Sequence, residues 1–267
     1  MKRKTRHVLI YILLWITISA LLLDFLLYHI DPTGVVAYYA DFSDLQSHSM
    51  PAPDGARYTP GTYHFRKYTV TIGLEGFRAV PESRGGDCRI AFLGDSVTFG
   101  MGSDISFVDL LAPDINATVV NAGIPGYSAA NVLSELGTIP ADGYVWLIVA
   151  NDDDPRAVWR RSAGELPSAT ALYLSWLFPF EETAAVNESR FTNDADKILA
   201  RDDVLSFVFA GQRLTKLVQE RYPQVRLIAP YTGFVSHYDR HADPVGARQI
   251  ADAMRPYVLA FVKQQCP

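Results

Sequence analysis

The chain has 267 residues, of which 49% are hydrophobic, enough for one sizeable core in a domain of about 200 residues plus extra segments. Four of the 24 basic residues and one of the 29 acidic residues precede Asp31, so the rest of the chain has 20 basic and 28 acidic residues and a net charge of −8. An acidic body argues against a nucleic-acid partner, because phosphate binding requires a basic surface. The two cysteines belong to no CxxC or Cys/His cluster, so we expect no metal and no cofactor.

The first 30 residues have the pattern of a basic tail and a transmembrane anchor. Val8–Ile30 is an apolar run of 23 residues, and a helix rising about 1.5 Å per residue over that length spans a hydrocarbon core of about 30 Å. A cleaved signal peptide is the alternative, but the run is long and no Ala-x-Ala site follows it. Basic residues precede the run, so we predict a single-pass protein of the cytoplasmic membrane with its body on the extracytoplasmic side.

Residues 31–62 and 63–267 differ in composition. Asp31–Gly61 is rich in Pro, Gly, Ser and Asp, which predicts a loosely ordered linker over residues 31–62. Tyr63–Phe77 is rich in β-branched and aromatic residues and carries glycines at turn positions, which predicts short strands or a hairpin. We predict that this segment opens a single domain, residues 63–267.

Apolar runs alternate with helical patterns from Arg89 onward, which predicts an α/β fold with a doubly wound parallel sheet. The predicted strands are Arg89–Leu93, Thr118–Asn121, Tyr144–Ala150 and Val225–Ala229, and the predicted helices are Phe107–Leu111, Ala129–Leu136, Asp202–Tyr222 and Gly246–Val262. Ser168–Phe180 fits either a fourth core strand or an apolar helix near the membrane, and we favour the strand. Glu181–Ala200 has the pattern of a surface segment that crosses the edge of the sheet where an active site would lie.

Chemically useful residues cluster at the carboxyl ends of the predicted strands and in the last loop. They are Gly94-Asp95-Ser96, Gly123 to Gly126, Asn151 and Asp239-Arg240-His241. In a parallel sheet these positions share one edge. A serine there can attack an ester, a histidine can remove its proton, and an acid can orient the imidazole. A glycine-loop N–H and a side-chain amide can stabilise the oxyanion.

Four stretches, GDSVTFG, NAGIPGYS, VANDDD and DRHADPVGARQIA, resemble the sequence blocks of the SGNH, or GDSL, hydrolases in that family's order. The resemblance covers about Tyr68 to Val262 and implies the flavodoxin-like, three-layer fold of that family. It implies that Ser96 is the nucleophile and first oxyanion donor, with Gly126 and Asn151 as further donors. It also implies that His241 is the base and Asp239 its orienting acid. The segment TVTIGLEGFR resembles the lead-in of membrane-anchored bacterial members.

The chain departs from the family pattern around the histidine. Many members carry the acid three residues before it, where this chain has Tyr238, and the usual Pro-Asn after it is here Ala242-Asp243. Asp239 lies two residues before His241, and Asp243 is the alternative acid.

Several neighbouring residues have simpler interpretations. We expect Asp95 to be structural, Asp152–Asp154 to be a solvated helix start and His237 to be a bystander. Trp159-Arg160-Arg161 has the pattern of surface packing.

The two cysteines form a possible disulfide. Cys88 begins the first core strand and Cys266 ends the last helix, which runs back to the amino edge of the sheet. A disulfide between them is permitted outside the cytoplasm. By closing so long a loop it would stabilise the fold by roughly 4–5 kcal/mol in the chain-entropy model. Free thiols remain the alternative.

The pattern and the resemblance together predict a serine esterase of the cell envelope that hydrolyses short acyl groups, O-acetyl groups on an envelope glycan among them. An acyltransferase would use the same residues. Two more classes stay open, a lysophospholipase, favoured only by the aromatic run around Trp176, and a non-catalytic glycan-binding protein of the envelope.

Overall fold

The computed structural model describes residues 3–52, 55–81, 83–153, 168–177 and 187–267, except the side chains of residues 3–6, 9, 175 and 176. The helices in these ranges are α1 (Arg3–Ile30), α2 (Val35–Ser47), α3 (Ser96–Phe99), α4 (Phe107–Leu111), α5 (Ala129–Leu136), α6 (Ala169–Leu177), α7 (Glu188–Leu199), α8 (Thr215–Arg221) and α9 (Pro244–Gln265). The strands are β1 (Ser49–Ala52), β2 (Gly55–Tyr58), β3 (Gly61–His64), β4 (Thr69–Ile72), β5 (Arg89–Gly94), β6 (Thr118–Gly123), β7 (Gly143–Ile148), β8 (Val204–Phe209) and β9 (Arg226–Ile228).

A parallel sheet with the strand order β6-β5-β7-β8-β9 forms the core of the described residues. Counted along the chain from the first core strand, this order is 2-1-3-4-5, that of flavodoxin-like folds. β5 pairs with both β6 and β7, and its Phe92 is aligned with Asn121 on one side and Val145 on the other. The predicted flavodoxin-like, doubly wound sheet is confirmed. In such sheets ligands bind at the carboxyl edge where the strand order reverses, here between β5 and β7.

Alternate residues of β5 belong to two apolar layers. Ile90 and Phe92 pack with α4 and α9, whereas Ala91 and Leu93 pack with α5, α7 and α8. Both faces of the strand are therefore buried, which explains its unbroken apolar run. The helices on the two faces complete the predicted three layers.

Residues 202–222 contain a strand and a helix, where the sequence predicted one helix. β8 pairs in parallel with β7, and its last four residues are buried. Gly211, with a φ of +77°, lies in the turn between β8 and α8. The β-branched and aromatic residues of the first half fill a buried strand position, so tertiary burial overrides the helical pattern.

Two further predictions are wrong for the described residues. Residues 168–177 form α6, the helical alternative, and not a core strand. The predicted surface segment contains α7, whose Phe191, Ala195 and Ile198 are buried against the sheet. Their spacing places them on one face of a helix. The many charged residues between them make this apolar periodicity hard to recognise in the sequence.

The described residues of segment 31–62 are packed against the domain, in contrast to the loosely ordered linker predicted from the composition of this segment. They form α2 and the antiparallel pair β1–β2, and Val35, Leu45 and Tyr58 are fully buried. A short apolar cluster among the Pro, Gly and Ser residues is enough to bury this segment against the domain. The domain boundary at residue 62 remains a prediction.

α1 contains one stretch, Ile10–Ile30, that is long and apolar enough to cross a membrane. Nearly all its described side chains are exposed, as expected for a membrane span. In the core helix of a soluble protein most of these apolar side chains would be buried. The same features fit a signal sequence.

Cys88 and Cys266 form a disulfide in the structure, with Cα atoms 5.7 Å apart. Cys88 directly precedes β5 and Cys266 directly follows α9, so the bond lies at the amino edge of the sheet. It joins positions 178 residues apart and ties the last helix to the first core strand.

Candidate active site

Ser96 lies in the turn between β5 and α3. Asp95 caps α3 by accepting a hydrogen bond from the Val97 N–H at 2.8 Å. Gly94 has a φ of +147°, and a Cβ there would collide with Thr98, so glycine permits this tight turn. The turn places the Ser96 hydroxyl at the carboxyl edge of the sheet, with 9% of the residue exposed.

The imidazole of His241 lies between the Ser96 hydroxyl and the Asp239 carboxylate. Its Nε2 is 2.7 Å from Ser96 Oγ, and its Nδ1 is 2.5 Å from Asp239 Oδ1. The same carboxylate oxygen accepts the backbone N–H of His241 at 3.0 Å. With the Nδ1 proton directed at Asp239, Nε2 is the nitrogen that can accept the proton of the serine.

The surroundings of His241 act on its pKa in opposite directions. Burial lowers the pKa, whereas the hydrogen bond and charge of Asp239, together with the charge of Asp95, raise it. The two carboxylates prevail, and the pKa of His241 lies above its ordinary value of 6.5. An imidazole of raised basicity is the stronger acceptor for a hydroxyl proton.

Asp243, the alternative acid, caps α9 instead. Its Oδ1 accepts the backbone N–H groups of Val245 and Gly246, both at 2.9 Å. This is the ordinary role of an aspartate at the residue before a helix. Asp239, and not Asp243, is therefore the acid at the imidazole of His241.

Gly126 and Asn151 follow the two strands that flank β5. Gly126, with a φ of +88°, lies between β6 and α5, and Asn151 lies just beyond β7. The Asn151 side chain lies close to the carboxylate of Asp95, next to the serine, and opposes the rise in the pKa of that carboxyl. Within the described residues, the N–H groups of Ser96 and Gly126 donate to no other protein group. The strand order thus brings the loops that carry Gly126 and Asn151 to the same edge of the sheet as the serine turn, one on each side of it.

Asp152 and Asp153 are buried beside this edge, where the sequence predicted solvated residues. Asp152 accepts the Val149 N–H at 3.0 Å, and burial, with the charge of Asp95, raises its pKa well above 3.8. Burial also raises the pKa of Asp95. Asp153 forms an ion pair with Arg213. The two residues hold the loop after β7 in place, and no group suited to a metal ion occurs among the described residues.

The segment before the sheet contributes an aromatic ring to the site. Tyr38 of α2 stacks on His241, with ring centroids 5.9 Å apart and the planes inclined by 16°. The loop that leads to His241 is held by the same segment. The Tyr238 N–H donates to the Thr33 carbonyl at 3.0 Å, and the hydroxyls of Tyr238 and Tyr39 lie 3.0 Å apart. The sequence predicts a linker here, so Tyr38 and Tyr39 are not among the predicted site residues.

Arg78 and Asn121 hold the backbone that follows Ser96, and neither is among the site residues that the sequence predicts. Arg78 is 4% exposed and donates to three backbone carbonyls of residues 99–103 at 2.8 to 3.1 Å. Asn121, fully buried, donates to the Thr98 carbonyl at 2.9 Å. In the sequence, each is marked only as a single polar residue beside apolar residues.

The remaining sequence candidates lie away from this row of hydrogen bonds or outside the described residues. His237 is exposed, although it directly precedes Tyr238 in the loop that leads to His241. Asp154 and Trp159-Arg160-Arg161 lie outside the described residues.

The assembled groups provide the parts for nucleophilic attack on an acyl carbon. A buried hydroxyl is hydrogen-bonded to an imidazole, and the imidazole is hydrogen-bonded to a carboxylate. The backbone N–H of the serine itself has no acceptor within the described part of the chain. This arrangement can activate an oxygen nucleophile without a metal ion.

Comparisons with known proteins give similarities of structure. No family model matches the chain, and no curated protein matches it. Similar solved structures include a family two carbohydrate esterase from Cellvibrio japonicus, at 16% identity and a TM-score of 0.41, covering 73% of this chain and 66% of that one. An acetylxylan esterase from Geobacillus stearothermophilus, in a catalytic mutant, has 14% identity and a TM-score of 0.39 over 67% of this chain and 96% of that one. An alpha/beta hydrolase enzyme from the metagenome of Lake Arreo has 15% identity and a TM-score of 0.39 over 70% of this chain and all of that one.

Proposed function

We propose that the chain is a serine esterase of the SGNH type. The observation that carries this proposal is the continuous row of hydrogen bonds from Ser96 Oγ through the His241 ring to Asp239. The serine and the histidine are 145 residues apart in the chain, so the fold and not local sequence brings them into contact. The four sequence blocks that resemble SGNH hydrolases supply the same residues.

In the proposed first half-reaction, Ser96 Oγ attacks the carbonyl carbon of an ester while His241 Nε2 takes the hydroxyl proton. The N–H groups of Ser96 and Gly126 and the amide of Asn151 donate to the oxyanion of the tetrahedral intermediate. The intermediate collapses when the C–O bond to the alcohol breaks and His241 returns the proton to the leaving oxygen. The products of this step are a free alcohol and an acyl group on Ser96.

In the second half-reaction, water attacks the acyl carbon and His241 takes its proton. Collapse of the second intermediate releases the carboxylic acid and restores the serine hydroxyl. Throughout, Asp239 keeps the Nδ1 proton in place and stabilises the imidazolium that forms in each step.

We also propose that α1 is an uncleaved anchor and that residues 63–267 form the catalytic domain on the extracytoplasmic side of the inner membrane. Contacts between α1 and the body support retention of the helix. The Thr170 N–H of α6 donates to the Asp24 carboxylate at 2.8 Å, and Arg66 donates to the Tyr28 carbonyl at 3.1 Å. Cleavage of a signal peptide after α1 would remove these contacts. The basic residues before the helix favour a cytoplasmic N-terminus.

The substrate class that we propose is a short acyl ester, an O-acetyl group on an envelope glycan in particular. Its support is the resemblance to SGNH hydrolases, and the described residues do not select a sugar. Acyl transfer to a second alcohol would use the same acyl-enzyme, with the alcohol in place of water.

The proposal is tested by the hydrolysis of p-nitrophenyl acetate by the full chain in detergent, with Ser96→Ala as the control. We expect turnover by the wild-type chain and only background hydrolysis by the variant, which retains the fold. Equal rates in the two proteins would refute the catalytic role and favour a glycan-binding protein. A preference for long acyl chains would instead favour a lysophospholipase.

A further inference from the structure

The outer end of α1 can be placed in a bilayer from its two flanking charged positions. Arg6 and Asp24 are 18 residues apart, about 27 Å along a helix, close to the hydrocarbon thickness of about 30 Å. The helix continues to Ile30, about 9 Å further, which is within the depth of the lipid headgroup layer. If α1 is an anchor, whatever packs beside it between Asp24 and Ile30 lies among the headgroups.

The turn between β3 and β4 reaches this level of α1 with two adjacent basic residues. Arg66 Nη1 donates to the Tyr28 carbonyl at 3.1 Å, and the guanidinium carbon lies 4.2 Å from the centroid of the Tyr28 ring. Arg66 and Lys67 are both exposed. A tyrosine near the end of a membrane span is typical of the headgroup boundary, so these cations lie where lipid phosphates are found.

α6 packs against α1 at the same level. The Thr170 N–H donates to Asp24, and the two helices share an apolar cluster with α2. The opposite side of α6 exposes Ala171, Leu174 and Leu177, with the two leucines 51% and 57% exposed. The spacing of three residues places them on one stripe of the helix. An apolar stripe of this kind is stabilised at the boundary between headgroups and acyl chains.

Two carboxylates near the outer end of α1 are already engaged by backbone N–H groups. Asp24 accepts from Thr170, and Asp31 accepts from Val36 and Ala37 at 3.1 and 2.7 Å. Arg66 and Lys67, by contrast, are exposed, and the described residues use one of the five guanidinium N–H donors of Arg66, on the Tyr28 carbonyl.

We propose that Arg66, Lys67 and the α6 stripe Ala171-Leu174-Leu177 form one membrane-contact surface that binds anionic phospholipid in the outer leaflet. The leucines enter the boundary of the acyl chains while the two cations contact phosphate groups. The body is thus held against the bilayer at three points, α1, α6 and the β3–β4 turn. The proposal depends on the proposed anchor and is independent of esterase chemistry.

The test uses the full chain reconstituted in phosphatidylcholine vesicles with brominated lipids, which quench a bimane label on contact. The label is attached at Leu174→Cys or, as the control, at Lys216→Cys, a position on α8 whose side chain is 85% exposed. We expect strong quenching at position 174 and none at position 216. Brominated phosphatidylglycerol should quench the first label more than brominated phosphatidylcholine at equal content.

The double variant Arg66→Gln/Lys67→Gln tests the cations. Each basic residue near an anionic membrane raises the affinity for it by about fivefold. Loss of both cations should therefore abolish the preference for phosphatidylglycerol. The double variant Lys216→Gln/Lys263→Gln makes the same charge change on α8 and α9, outside the proposed membrane-contact surface, and should retain the preference. Equal quenching at positions 174 and 216 in protein that floats with the vesicles would refute the surface. An unchanged lipid preference in the first double variant would refute the anionic-lipid site. Protein that does not float with the vesicles would refute the anchor itself, and p-nitrophenyl acetate hydrolysis reports separately on the esterase proposal.

Discussion

The ring of Tyr38 lies nearly parallel to the imidazole of His241, with centroids 5.9 Å apart. An aromatic face at this distance attracts a cation, so it favours the imidazolium that would form when His241 takes a proton from Ser96. Tyr38 belongs to α2, the helix that follows α1 along the chain. The segment between the anchor and the sheet is therefore part of the site's wall and not only a connection.

Replacement of Tyr38 by leucine should lower kcat/KM for a short p-nitrophenyl ester by about fivefold, because a cation–π contact contributes about 1 kcal/mol. Tyr38→Phe keeps the ring and should retain most of the activity. Tyr63→Leu is a matched control, since Tyr63 packs on His48 with centroids 4.2 Å apart, in a position outside the site. Equal losses in Tyr38→Leu and Tyr63→Leu would contradict a specific effect on His241.

The site residues that belong to a local backbone pattern could be predicted from the sequence, whereas the position of Tyr38 beside His241 could not. A Gly-Asp-Ser turn after an apolar run is a local pattern, because the glycine, the cap and the serine act on neighbouring residues. The contact between Tyr38 and His241 joins two distant parts of the chain and has no local pattern. The same holds for β8, whose helical periodicity was overridden by its position beside β7 in the sheet.

The choice between Asp239 and Asp243 leads to a paired prediction. Asp239→Ala should lower kcat/KM by about 10⁴-fold, the usual cost of removing the acid of such a triad. Asp243→Ala should leave kcat/KM nearly unchanged and lower the free energy of unfolding by about 1 kcal/mol, because it removes the N-cap of α9. Ester hydrolysis and urea unfolding of both variants measure these effects. A large loss of kcat/KM in Asp243→Ala, with little loss in Asp239→Ala, would show that Asp243 is the acid.

The raised pKa of His241 predicts the pH dependence of the reaction. The base must be neutral to accept a proton, so kcat/KM should rise with pH and reach half its maximum above pH 6.5. Because the folded-state pKa exceeds the unfolded one, protonation of His241 stabilises the fold fully below about pH 6.5, and this contribution is lost as pH rises through the folded value. An NMR titration of the His241 ring in Ser96→Ala gives the value directly. A midpoint below 6.5 would contradict the prediction.

The buried carboxyl of Asp152 should be a source of instability at neutral pH. Burial raises its pKa well above 3.8, and its Oδ1 has no partner among the described residues. As pH rises from the unfolded to the folded pKa, the wild-type chain loses stability that Asp152→Asn does not lose. The variant keeps the acceptor for the Val149 N–H and should be the more stable protein at pH 8, with little difference near pH 4. Urea unfolding at both pH values measures this, and a less stable variant at pH 8 would be the contrary result.

The disulfide between Cys88 and Cys266 should stabilise the body without being needed for the chemistry. It closes a loop of 178 residues, for which the chain-entropy model gives about 5 kcal/mol. It lies at the amino edge of the sheet, whereas Ser96 and His241 meet at the carboxyl edge, so its loss should not move the site. The double variant Cys88→Ala/Cys266→Ala should therefore unfold at a clearly lower urea concentration and retain kcat/KM under native conditions. Reductant should shift the unfolding midpoint of the wild-type chain to that of the variant and leave the variant unchanged. A wild-type midpoint that does not respond to reductant would mean that the two thiols are not bonded in the protein.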